Sequence, residues 1–184
     1  MNSKLPEPIK VKDRYFKELI TYQRILERVN TIAKEIEKDY ADSLPVFLPV
    51  LNGSFMFAAD LMKVIQFPSE IEFINAKSYS GTSTTGVVKV ETFFKKPMNG
   101  RHIVIIEDIV DTGFTIQKLV KTLEAEEPAS IEVAALLIKP ESFEVPVNVK
   151  YHGFEIGNEF VVGYGLDYDG MGRNILGIYQ EVNS

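Results

Sequence analysis

The segment Val104-Ile105-Ile106-Glu107-Asp108-Ile109-Val110-Asp111-Thr112-Gly113-Phe114-Thr115 constrains this chain more than any other. A β-branched apolar run ends in two adjacent carboxylates, and a third acid opens a small, hydroxyl-rich stretch. That is a strand entering a loop. The residues that follow place Ile116, Leu119, Val120 and Leu123 at the three-and-four spacing of a half-buried helix. The loop therefore sits at a helix N-terminus, where unpaired backbone N–H groups converge. Gly113 permits close backbone approach and two threonines add donors, so a phosphate is the natural guest. Three acids beside a phosphate make sense only if they face something else: a divalent cation, sugar hydroxyls, or a proton to be moved. An ordinary acidic strand end with a threonine N-cap would look similar. An aspartyl-nucleophile phosphotransferase is a sharper rival, but its aspartates flank one residue, whereas Asp108 and Asp111 flank two.

Length and charge narrow the class. A chain of 184 residues with 45% apolar content suits one domain spanning 1–184 with a proper core. Twenty-six acidic against 20 basic residues give a net charge of −6, opposite to the footprint of a nucleic-acid binder. With no cysteine, disulfides, thiolate chemistry and cysteine-rich zinc sites are excluded. His102 and His152 have no metal-like or triad-like neighbours and read as surface or strand-end residues. No run approaches membrane-spanning length, so a soluble cytoplasmic protein without a membrane partner is expected.

Along the chain, apolar residues from Leu19 to Ile36 predict an amphipathic helix over about Lys12 to Tyr40. Pro45 to Leu51 reads as a buried strand whose prolines place its first part at an edge or in an irregular stretch. It stops at Asn52-Gly53-Ser54, and an apolar run from Phe55 to Ile65 has helical length. The junction is a second possible anion loop, or a plain tight turn. Glu70 to Lys77 alternates as a half-exposed strand does, and Val87 to Phe93 returns as the other arm of a hairpin. The Ser-, Thr- and Gly-rich stretch 78–86 between them reads as a mobile loop, either a plain hairpin tip or a lid that excludes water. Ser130 to Ile138 is apolar like a parallel strand covered on both faces, and it delivers Lys139 to the rim where such sheets bind ligands. Phe160 to Asn174 opens as a short strand and passes into a loop. It offers Phe160 and Val161 to a flat ring, Asp167 to a metal and Arg173 to a phosphate.

In this order and at these spacings, the segments from Val50 to about Asn174 resemble the hypoxanthine (hypoxanthine-guanine) phosphoribosyltransferases. The Glu107–Thr115 signature and the Phe160–Asp167 stretch followed by Arg173 are the most specific parts. The resemblance implies an α/β, type I phosphoribosyltransferase fold: a mostly parallel twisted sheet flanked by helices, a small hood, and a mobile β-hairpin lid. It also implies a reaction in which a 6-oxopurine, hypoxanthine or guanine, attacks phosphoribosyl pyrophosphate to give a purine nucleoside monophosphate and pyrophosphate.

The residue roles come from the same resemblance. Asp111 matches the general base, and Asp111, Thr112, Gly113, Phe114 and Thr115 match the 5′-phosphate cradle. Glu107 and Asp108 match the acids on the ribose hydroxyls. Lys139 matches the donor to the purine 6-oxo group, Phe160 the stacking aromatic and Val161 a backbone contact at the purine edge. Asp167 lies at that edge as well, and Glu107, Asp108 and Asp167 are the magnesium-side acids. Leu51, Asn52, Gly53 and Arg173 fall on the pyrophosphate side, where the first peptide of the loop is cis in many relatives. Ser78 and Tyr79 match the Ser-Tyr pair of the closing lid. Relatives are usually homodimers or homotetramers. Asn52 departs from a lysine common in relatives, and Gly170-Met171-Gly172 replaces bulkier residues. A non-catalytic regulator of the same fold, sensing phosphoribosyl pyrophosphate or a nucleotide, is the alternative. Asp111 together with Lys139 and Phe160 favours the enzyme.

Overall fold

The computed structural model describes residues 7–78, 88–91 and 96–182, with only the backbone described for 76–78 and 88–91. Its first elements correct the expectation of a helix from Lys12. Strands β1 (Ile9–Val11) and β2 (Arg14–Ile20) form an antiparallel hairpin, and helix α1 begins only at Tyr22 and runs to Tyr40. Two causes decide this. Thr21 is extended and its hydroxyl accepts from the Arg24 N–H at 3.3 Å, which starts the helix there. Phe16 and Ile20 turn inward while a strand from the far end of the chain, Ile178–Val182, pairs with β2. A helical-period count cannot see that long-range partner, and so it carries Leu19 onto a helix face.

The chain continues through β3 (Val46–Leu51), α2 (Phe55–Val64), β4 (Glu70–Ile71), β5 (Ile74–Ser78), β6 (Val88–Glu91), β7 (His102–Val110) and α3 (Phe114–Glu124). It closes with β8 (Ser130–Ile138), β9 (Tyr151–Glu155), β10 (Val161–Val162) and β11 (Ile178–Val182). The large sheet has the order β6-β5-β3-β7-β8-β9 with β4 also beside β3, and every pairing is parallel except β5 with β6. The small sheet, β1-β2-β11-β10, is antiparallel.

Strand β3 also corrects an expectation. Despite Pro45 and Pro49 it is a regular interior strand, with Val46 to Val50 buried. On one side it pairs with β7 from Val46 to Pro49. On the other it meets β4 at Val46 and Phe47 and β5 at Val50 and Leu51, so Pro49 falls in the break between them, where no ladder partner is missing.

Successive residues of the central strands face opposite ways and build two cores. Phe47, Val104 and Ile106 meet α1 and α2, whereas Val46, Leu48, Ile103 and Ile105 meet α3 through Ile116, Leu119 and Leu123. Each fully buried aliphatic side chain stabilises by about 1.5–3 kcal/mol relative to exposure. This two-sided burial fixes the strands rigidly, and their C-terminal ends carry the acidic and glycine-rich loops. Ile9, Val11, Phe16, Val162 and Tyr179 form a third, smaller core inside the hood sheet. Among the described residues no helix is long and apolar enough to cross a membrane.

Candidate active site at the C-terminal rim of the sheet

Three adjacent strands, β3, β7 and β8, deliver Leu51-Asn52-Gly53, Glu107 to Gly113 and Lys139 to the same rim. The Leu51–Asn52 peptide is cis. Gly53 packs so tightly on Asp108 that a Cβ there would lie 1.6 Å from a carboxylate oxygen, so any side chain at 53 would have to displace Asp108. The turn between β3 and α2 and the acids of β7 are therefore one unit.

The acids differ in their surroundings. Glu107 is buried, its Oε2 has no hydrogen-bond partner among the described residues, and burial followed by the neighbouring Asp108 charge raises its carboxyl well above the usual range. Asp108 is pushed up to about 6, chiefly by desolvation, against the opposing pull of the Ile109 N–H at 2.9 Å and the Arg173 charge. Asp111 is half exposed and reaches the nearly buried Lys139 ammonium at 3.5 Å. An acceptor and a donor thus stand side by side at the ends of neighbouring strands.

Below them the loop enters α3 through Gly113, which takes φ +90 as the N-cap and has no side-chain cap. This corrects the threonine cap of the plain strand-end alternative. The first-turn N–H groups of α3 are left for an outside acceptor, in contrast to α1, which Thr21 caps. The segment after β8 buttresses the loop: Glu144 N–H donates to Thr112 O at 3.0 Å, and Val145 and Val147 pack on Gly113. Phe114 is largely exposed beside Thr115 at the start of α3.

The hood supplies the other wall. Phe160 is 40% exposed, enough for a flat ring to cover one face. Its ring is met edge-on by Tyr168 at 5.8 Å, while the Arg14 guanidinium lies 5.4 Å from Phe160 and 4.5 Å from Tyr168. Arg14 and Tyr168 were not foreseen as site residues; Arg14 is hidden in the stretch taken for a helix. Val161 is buried in β10, paired with Gln180. Asp167 accepts from the Gly170 N–H at 2.7 Å and pairs with Arg173 at 2.6 Å, and Arg173 donates its other arm to Gly165 O at 2.7 Å. Ser78 ends β5 without a described side chain, and Tyr79 lies outside the described residues. Among the described residues no cluster of three or more His, Asp or Glu side chains is poised around a metal position.

Residues 17–169 match the phosphoribosyl transferase domain. The chain is 38% identical over 168 residues to the hypoxanthine-guanine phosphoribosyltransferase of Streptococcus pneumoniae, covering 90% of this chain and 93% of that protein. It is 43% identical over 155 residues to the hypoxanthine phosphoribosyltransferase of Haemophilus influenzae, covering 84% and 86%. The crystal structure of a hypoxanthine-guanine phosphoribosyltransferase from Bacillus anthracis superposes with a TM-score of 0.85 at 37% identity, covering 90% of this chain and 98% of that one.

Proposed function

The chain belongs to the phosphoribosyl transferase family, on its hypoxanthine and hypoxanthine-guanine branch, and from that premise we propose that it is a purine-salvage enzyme. It transfers the 5-phosphoribosyl group of phosphoribosyl pyrophosphate to hypoxanthine, and to guanine, giving the nucleoside monophosphate and pyrophosphate. The observation that carries this reading is the Lys139–Asp111 pair, 3.5 Å apart at the rim. A 6-oxopurine presents O6 and N7 on one edge, so Lys139 donates to O6 while Asp111 takes the N7 proton. Adenine carries an amino donor at position 6, which faces the Lys139 ammonium unfavourably.

Phe160, braced by Arg14 and Tyr168, stacks on the base, and the Val161 backbone with Asp167 meets its far edge. The backbone and hydroxyls of Asp111 to Thr115 take the 5′-phosphate at the uncapped helix. Glu107 and Asp108 accept from the ribose hydroxyls, which satisfies the orphaned Glu107 oxygen. As the bond from C1′ to pyrophosphate breaks, the ring gains positive charge that these carboxylates favour. N9 then bonds to C1′, and the N7 proton passes to Asp111. Arg173 and the Leu51–Gly53 turn hold the leaving pyrophosphate.

Carboxylate oxygens suit magnesium, which takes one or two of them and completes its shell with water and substrate phosphate; one or two of Glu107, Asp108 and Asp167 would hold it, directly or through water. When bound it supplies charge neutralisation for pyrophosphate. We place the enzyme in the cytoplasm as a homodimer or homotetramer, following the pattern of its relatives.

Incubation with magnesium, phosphoribosyl pyrophosphate and each of hypoxanthine, guanine, xanthine and adenine tests the reading. Inosine and guanosine monophosphates are the expected products, with no product from adenine. Absence of product with every base would overturn it.

A further inference from the structure

Four polar or charged side chains are buried among the described residues: Ser54, Glu107, Lys139 and Asp60. The first three stand at the rim. Asp60 lies inside α2, and the chemistry above gives it no task.

Its carboxylate accepts from the Tyr164 hydroxyl at 2.7 Å and lies 3.4 Å from the Tyr22 hydroxyl, and Lys63 donates to its other oxygen at 2.7 Å. Tyr164 is fully buried and holds φ +48 between Gly163 at +100 and Gly165 at +101. A non-glycine residue in that left-handed region costs about 1–2 kcal/mol, so its neighbours must hold it there. The phenol bound to Asp60 is one such hold.

What Tyr164 fixes is Gly165. The Gly165 N–H donates to Arg173 O at 2.9 Å and its carbonyl accepts from the Arg173 guanidinium at 2.7 Å. On its other side, a Cβ on Gly165 would lie 2.0 Å from Gly53 O. One glycine therefore touches both components of the pyrophosphate side.

We propose that Asp60 is a positioning residue for the leaving group: through the Tyr164 hydroxyl it sets Gly165, and with it both the Gly53 turn and the Arg173 guanidinium. The inference rests on the transferase reading for the role of Arg173. A merely structural Asp60 would affect every ligand alike through loss of stability. A positioning Asp60 acts selectively on pyrophosphate, because purine and 5′-phosphate are held mainly by Lys139, Phe160 and the backbone of the α3 loop.

The test is calorimetric titration of magnesium pyrophosphate and, separately, inosine monophosphate into the parent, Tyr164→Phe, Asp60→Leu and Asp60→Asn. Tyr164→Phe and Asp60→Leu are expected to weaken pyrophosphate by about tenfold or more and inosine monophosphate by less than about threefold. Asp60→Asn keeps an acceptor for Tyr164 and is expected to stay within about threefold of the parent for both. Equal weakening of the two ligands, unchanged pyrophosphate binding, or an Asn variant as damaged as the Leu variant would each overturn the proposal. If Tyr164→Phe does not fold, the two Asp60 variants decide. Failure of the parent itself to bind either ligand would instead count against the transferase reading.

Discussion

The two ends of the parallel sheet carry similar residue types but hold their acids differently. At the N-terminal end the Tyr151 hydroxyl donates to Asp39 at 2.6 Å, and Lys150 reaches Asp39 at 3.0 Å and Glu132 at 3.5 Å. His102 and Tyr40 share the Ser130 hydroxyl at 2.8 and 3.3 Å. At the C-terminal end Glu107 keeps an orphaned buried oxygen and Asp108 is wedged against Gly53. The acids record the contrast: hydrogen bonds from Tyr151 and Lys150 hold Asp39 below the usual carboxylate range, whereas desolvation drives Glu107 and Asp108 above it. Asp39 is held as a carboxylate by partners within the chain, whereas Glu107 and Asp108 are held desolvated, a state that a ligand donating to them would relieve.

The largest expected break in this comparison comes at the active end. Asp111→Ala should slow nucleotide formation by about 10²–10⁴-fold while leaving nucleoside monophosphate binding within a few-fold; a binding loss with unchanged turnover would contradict the base role. Next, Asp108→Asn should stabilise the unliganded protein. Because the folded carboxyl titrates near 6 and the free side chain near 3.8, ionising Asp108 opposes folding. The contribution of this group to stability is full below the lower value, falls as pH rises between the two, and is level above the higher one. Denaturant unfolding should show the variant about 1–3 kcal/mol more stable at pH 8, with the gap closing toward pH 4; Asp108 as a residue is only partly buried, which favours the lower figure.

At the other end the sign reverses. Tyr151→Phe removes a hydrogen bond that nothing replaces, and should destabilise by about 1 kcal/mol while leaving the transfer rate within about twofold. The smallest effect is expected at Asn52. It is exposed in the turn after β3, and Asn52→Lys should tighten magnesium pyrophosphate by a few-fold at low salt, with the gain fading as salt is added. Equal affinity in parent and variant would show that the missing charge is unimportant here.

The active end was the more legible of the two because its signals are local. Strand period, acids, glycine and helix period follow one another from Val104 to Leu123, and each is readable within a few residues. What stayed hidden depends on distant partners. Arg14 braces Phe160 only because β2 pairs with β11, and the helical spacing of its neighbours masks that role. Strand β9 went unread because Tyr151-His152-Gly153-Phe154-Glu155 neither alternates nor runs apolar. Arg28 of α1 secures that edge strand by donating to the His152 and Gly153 carbonyls. Asp60 left a faint trace, an acid within the apolar run Phe55 to Val64, but its partners Tyr22 and Tyr164 come from other parts of the chain.

The most direct measurement is the rate of inosine monophosphate formation by a Glu107→Gln, Asp108→Asn double variant, set beside its unfolding free energy at pH 8. Desolvated acids kept for a ligand predict a more stable protein whose transfer is slower by at least about 100-fold. A double variant that is less stable than the parent, or that transfers ribose phosphate at the parent rate, would contradict the account.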